Sequence, residues 1–139
     1  MALSLYAATI PSYRQILGAV SGLLRTAQAY CTDKGIDASE LIQARLAPDM
    51  LPFAFQVKST AVHSVGAIDA VRQGVFSPDR SPPPETFAAL EARVAEALSA
   101  LEKIAPAEVE SFVGRDVRIE APNRRIELRC SVRRCRIQG

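Results

Sequence analysis

Apolar residues recur at spacings of three and four along three long stretches of this chain, and at a spacing of two near its end. Ile16, Leu17, Val20, Leu23, Leu24, Ala27 and Cys31 form the first helical stripe. That helix is expected to begin at Pro11 or Ser12, since a first turn does not need proline's missing N–H, and to end at Gly35. Asp37-Ala38-Ser39-Glu40 has the residues of a capping box, so a short helix through Leu41, Ile42 and Leu46 should follow and stop at Pro48. A second long helix is predicted from Pro52 to Val75, about 24 residues and about 36 Å long at 1.5 Å per residue. Its inner face would be Phe53, Val57, Ala61, Ser64, Val65, Ile68, Val71 and Val75, and Gly66 is expected to admit a close partner. Residues 77–84, SPDRSPPP, are half proline and read as a loop. Glu85 or Thr86 then caps a third long helix, with the stripe Phe87, Leu90, Val94, Leu98, Leu101 and Ile104, closed by Pro106.

Beyond Pro106 the period changes. Val117, Ile119 and Ala121 alternate with Arg118 and Glu120, Pro122-Asn123-Arg124 suits a turn, and Ile126 and Leu128 alternate with Arg125, Glu127 and Arg129. A two-stranded hairpin follows from that alternation, and it must pack on the helices because a lone hairpin is marginal in water. The predicted fold is therefore mainly α: an up-down helical bundle of three long helices and a short one, with a small C-terminal β-hairpin. Up-down bundles usually close with four long helices. The fourth is missing from this pattern, and residues 129–139, RCSVRRCRIQG, are too short and too charged to supply it.

Composition changes the picture in one place. With 48% apolar and 23% charged residues the chain is ordinary for a globular domain. No run approaches the roughly 18 apolar residues of a membrane span, and the start lacks the basic region of a secretory signal, so a cytoplasmic protein is expected. Charge, however, is unevenly placed. Residues 124–139 carry six arginines against one acid, Glu127, which is +5; the whole chain is +2, so the remainder is −3. An acidic body with a basic end argues against a nucleic-acid surface spread over the domain. The arginines have no interleaved aromatic platform and no reading helix, so nucleic acid is not an expected partner.

Candidate chemistry is sparse. The three cysteines, Cys31, Cys130 and Cys135, do not have zinc-knuckle or redox spacing and read as reduced thiols. His63 is the only histidine and the single candidate metal ligand, where a catalytic zinc needs about three protein ligands. Asp69 lies on another part of the same predicted helix, and Cys31 sits at a helix end, so neither makes an i,i+3 or i,i+4 pair with His63. Every nucleophile–base scheme would reuse His63, no phosphate-cradling G-x-x-x-x-G-K motif occurs, and Tyr6, Tyr13 and Tyr30 suit core residues with a wet tip. No catalytic residue is assigned.

Several blocks nevertheless have a specific look: Ser4-Leu5-Tyr6-x-x-Thr9-x-Pro11, then Ala44-Arg45-Leu46-Ala47-Pro48-Asp49-Met50-Leu51-Pro52 and Gln56-Val57, then Ala88-x-Leu90-x-x-Arg93 and Phe112-x-Gly114-Arg115. In that order they resemble a bacterial family, domain of unknown function 1993 (DUF1993), over residues 3–128. That family is similar to the DinB/YfiT-like metalloenzyme superfamily. The resemblance implies a four-helix bundle with a divalent metal, zinc or nickel, held between helices mainly by histidines, and in some relatives a thiol-dependent transferase or hydrolase activity. It also implies a last helix with an aromatic-rich segment, which this sequence lacks. The expected organisation is thus an incomplete bundle domain over residues 1–128 and, over residues 129–139, a basic tail that does not match the family and reads as a frame-shifted or otherwise altered end.

Two functions are compatible with these residues. One is an uncharacterised DinB/YfiT-like domain descended from metal-dependent transferases or hydrolases, with an incomplete metal site. The other is a non-catalytic helical interaction module. In the second, three stripes facing a vacant fourth position leave an apolar groove, and the chain self-associates into a homo-oligomer through it.

Overall fold

A computed structural model describes residues 3–121 and 124–130. The elements in chain order are α1 (Leu5–Lys34), α2 (Ala38–Ile42), α3 (Phe53–Gln73), β1 (Val75–Phe76), α4 (Phe87–Glu102), α5 (Pro106–Glu110), β2 (Asp116–Ala121) and β3 (Arg124–Arg129). Three long helices and a terminal hairpin agree with the sequence pattern. Pro122 and Asn123 of the expected turn, and residues 131–139 of the basic tail, lie outside the described residues.

The largest departure is at the front. α1 begins at Leu5, so Pro11 lies inside the helix rather than at its first turn. Two side chains satisfy the N–H groups of that earlier start. Ala7 N donates to the Ser4 hydroxyl at 3.1 Å, while Leu5 N and Tyr6 N donate to the Glu110 carboxylate at 3.3 and 2.8 Å. Ile10 is buried beside the proline and fastens the segment to the core. At the other end Gly35 takes a left-handed φ of 62°, and Ile36 N reaches back to Cys31 O.

α2 stops at Ile42, short of the expected Leu46, with the Asp37 carboxylate accepting from Ser39 N at 2.8 Å. The second long helix also ends sooner than predicted. Gly74, at φ 76°, terminates α3, and Val75–Phe76 becomes a strand instead of a last helical turn. This strand pairs in parallel with β2 (Val75↔Arg118, Phe76↔Ile119), and β2 pairs antiparallel with β3, giving the order β1-β2-β3. Pro106 does more than close the third long helix: α4 ends at Glu102 and Pro106 opens α5. The expected cap at Thr86 is present, its hydroxyl accepting from Ala89 N at 3.2 Å.

Leu17 and Leu24 of α1, Val57, Ala61 and Ile68 of α3, and Leu90, Val94 and Leu101 of α4 meet in the core, joined by Ile42, Val109 and Phe112. α4 packs closely on both α1 and α3, whereas α1 and α3 touch each other far less. Among the described residues the bundle therefore has an open side between α1 and α3. Gly66 does not mediate close approach: a Cβ there would meet only Val62 Cγ1, at 3.8 Å, because the residue faces a cleft.

Segment 77–86 returns along α3 and is latched to it by Lys58. That lysine is 3% exposed, and its Nζ donates to the backbone oxygens of Asp79 and Ser81 and to the Ser81 hydroxyl, and lies 3.1 Å from Asp79 Oδ1. Asp79 is the hub on the loop side. It also accepts from Ser81 N at 2.9 Å and from the Ser81 hydroxyl, and meets Arg93 of α4 at 3.4 Å. These hydrogen bonds from Ser81, with the nearby Lys58 charge, hold its carboxyl down at about 2.

Candidate functional site

The open side of the bundle is a trough with two hollows. The first, of about 330 Å³, lies between Tyr13 and Ile16 on α1 and Gln56, Thr60 and His63 on α3. The second, of about 260 Å³, continues past Gln56 to Leu23, Leu41, Leu46, Met50 and Leu51. The stripe predicted for α1 explains the trough. Leu17, Leu24, Ala27 and Cys31 are buried, but Ile16 and Leu23 are 52% and 51% exposed, because they point where no helix among the described residues covers them. Leu46, beyond the end of α2, is 94% exposed. Arg45 fixes that loop by donating to Met50 O at 2.9 Å.

Two hydroxyls of the trough are spent on their own helix, and the Gln56 amide donates to Leu51 O. The Thr60 hydroxyl donates to Val57 O at 2.7 Å, and the Ser64 hydroxyl donates to Thr60 O at 2.8 Å. Burial, with the neighbouring Cys130, pushes the Tyr13 phenol up. Burial likewise raises the Cys130 thiol, and Arg115 draws it partly back.

His63 is exposed at the rim, with its ring centroid 5.9 Å from that of Phe76. The other candidate donors are not brought to it. The Asp69 carboxylate is paired with Arg72 at 2.8 Å and lines the cleft between α3 and α4. Cys31 is buried fifteen positions beyond Ile16, which is about 22 Å along α1. Among the described residues no three His, Cys, Asp or Glu side chains are grouped to hold a metal ion. The hydroxyls and amide around His63 are not the donor set of a tight zinc or nickel site, so the residues present do not fit the metal that the superfamily resemblance implies.

A second concavity was not anticipated from the sequence. It holds about 460 Å³ between α3, β1 and α4, floored by Ala61, Gly66, Ala70, Ala97 and Ala100. Asp69, Arg93 and Glu96 stand at its edges. The signal was the run of small residues at facing positions of two helices, which leaves room that larger side chains would fill.

An open three-helix bundle with an appended three-stranded sheet is the class that this geometry defines. The chain belongs to the family described as Domain of unknown function (DUF1993), whose model matches residues 5–135. The match passes Arg129, where the composition turns basic, and in the structure Arg129 is the last residue of β3, paired with Asp116. Among solved structures the chain is similar to a DinB family member from Shewanella denitrificans, with a TM-score of 0.69 and 22% identity. The likeness covers 85% of this chain and 66% of that one, so the chain spans just under two thirds of its DinB-family counterpart. At that identity the likeness defines the fold alone. No curated protein matches the chain in sequence. No helix among the described residues is long and apolar enough to cross a membrane.

Proposed function

We propose that this DUF1993 chain is a non-catalytic helical interaction module that self-associates by covering the α1–α3 trough with a second copy. The observation that carries this reading is the apolar face of α1. Ile16 and Leu23 stand half in water, beside a 94% exposed Leu46, at the position where a four-helix bundle would close. Side chains of this kind gain from leaving water, at about 25 cal/mol per Å² of apolar area. The adjoining hollow is lined mainly by Leu23, Leu41, Leu46, Met50, Leu51 and Phe53, which favours an apolar occupant. A cytoplasmic location is part of the proposal and fits the free Cys31 and Cys130.

The test is the mass in solution of untagged protein at tens of micromolar, by sedimentation or light scattering. Self-association is expected, and Ile16→Glu with Leu23→Glu should abolish the contact through the trough without unfolding the chain. A well-folded wild-type protein that stays strictly monomeric overturns the proposal. One tightly held divalent ion per chain, lost on His63→Ala, would instead favour descent from a working metalloenzyme.

A further inference from the structure

We infer that the outer edge of β3 is a second self-recognition surface, on which β3 of another copy pairs antiparallel about a two-fold axis through Ile126. β2 is hydrogen-bonded on both sides, by β1 and β3, whereas among the described residues nothing pairs with the outer edge of β3. The strand is regular: six successive pairs with β2, from Arg124↔Ala121 to Arg129↔Asp116, with no bulge and no proline to spoil the edge. Its one substantial neighbour is β2. Ile126 and Leu128 on its inner face are only half-buried. An uncovered regular edge is a template for another strand, and a short ribbon gains from becoming part of a wider sheet.

Charge decides which strand and in what register. Opposed residues in an antiparallel pair point to the same face, and a two-fold axis keeps the faces of the two sheets aligned, so it must pass through a residue of the strand. Centred on Arg124 or Arg125 the pairing opposes arginine to arginine; centred on Glu127 it opposes glutamate to glutamate. Centred on Ile126 it sets Ile126 against Ile126, and Arg125 against Glu127 twice over, while Arg124 lays its stem along Leu128. Leu128 is the other centre that brings opposite charges together, through Glu127 and Arg129. However, it joins fewer β3 residues, and Arg129 is already engaged by Asp116 through two contacts of 2.8 and 3.3 Å. Arg125 and Glu127 are free by comparison: their contact within one strand is 3.7 Å, and both side chains are about two-thirds exposed. The same charges turn away strands that lack the complementary order, so the edge is protected from strangers and open to its own copy. The product is a continuous six-stranded sheet, β1-β2-β3 followed by β3-β2-β1 of the second copy.

This surface is separate from the trough, and its test is made in the Ile16→Glu/Leu23→Glu background so that the two contacts are read independently. Glu127→Arg and Arg125→Glu should each weaken dimer formation about tenfold, by turning two attractive pairs into repulsive ones. Mixing these two variants, or reversing both charges in one chain, should restore it. Circular dichroism confirms that each variant is folded. Since either change also disturbs a pairing with β2, a second measurement leaves the charges alone. Ile126→Cys in a Cys130→Ser/Cys135→Ser background should form a disulfide-linked dimer under mild oxidation, because residues opposed on the axis lie within disulfide reach. Arg125→Glu without effect, failure of the mixture and the reversal to recover, or cross-linking from Leu128→Cys but not from Ile126→Cys would each overturn the inference. A monomeric trough variant that neither pairs nor cross-links overturns it while leaving the trough proposal standing.

Discussion

Lys58 shows how much a single side chain can hide in a sequence. It interrupts the apolar face of α3, and nothing in the helical period marks it as the most buried charge among the described residues. Its partners come from a proline-rich loop more than twenty positions away, so only the return of segment 77–86 along α3 reveals its role. Removing it deprives the Asp79 and Ser81 carbonyls of their lysine donor and the Asp79 carboxylate of its nearest charge, and Lys58→Met should lower stability at neutral pH by about 2 kcal/mol, read by chemical denaturation. The acid dependence should survive that change in large part, because Ser81 supplies most of the hold on the Asp79 carboxylate. In the folded state this group titrates at about 2 rather than its ordinary 3.8. A depressed folded value adds stability that is fully present above the unfolded value and disappears as pH falls through the folded one. Denaturation followed from pH 5 down to pH 2 should therefore show a decline that Asp79→Asn makes shallower, the remainder belonging to other carboxylates held low, such as Glu110. His63 is the opposite case. The sequence made it conspicuous as the only histidine, yet it lies exposed at a rim, short of co-ligands among the described residues.

At the level of elements, the long helices were readable because period and stripe suffice for them, whereas their ends were set by partners distant in the chain. Pro11 is a good first-turn residue, and local logic places the start of α1 there. The actual start, six positions earlier, depends on Glu110, which is more than a hundred residues away and accepts from Leu5 N and Tyr6 N. Those N–H groups hold the Glu110 carboxyl below its ordinary range, with Tyr6 N the larger influence. The front turns of α1 should thus depend on that carboxylate. In Glu110→Ala, amide exchange should quicken for residues 5–10 and stay unchanged in α3; uniform quickening along the chain would show instead that α5 docking supports the whole fold. β1 has a similar explanation. Val75 continues the apolar period of α3, but Gly74 takes a left-handed turn and β2 offers a free edge, so a hydrogen-bonded strand replaces a last helical turn.

For the whole molecule, the sequence made the missing side of the bundle visible, since three stripes were present where four are usual. It could not show that α4 would be the helix shared by the other two and that the gap would open between α1 and α3; that follows from how the helices pack, not from their periods. Nor could spacing alone reveal the cleft between α3 and α4, which arises from small residues that meet only once the fold is formed. If the trough is covered by a second copy, folding and association are linked, and apparent stability must rise with protein concentration. For each such two-fold contact, a tenfold increase in concentration adds about 0.7 kcal/mol per chain, which for a domain of this size is about 2–3 °C in Tm. Calorimetry over two decades of concentration should show that slope in the wild type. Ile16→Glu/Leu23→Glu should reduce it to whatever the β3 edge sustains, and adding Glu127→Arg should move that remainder to about tenfold higher concentration. A wild-type Tm independent of concentration, with reversible unfolding throughout, would mean that water is left in the trough and that the exposed leucines serve some purpose other than holding two chains together.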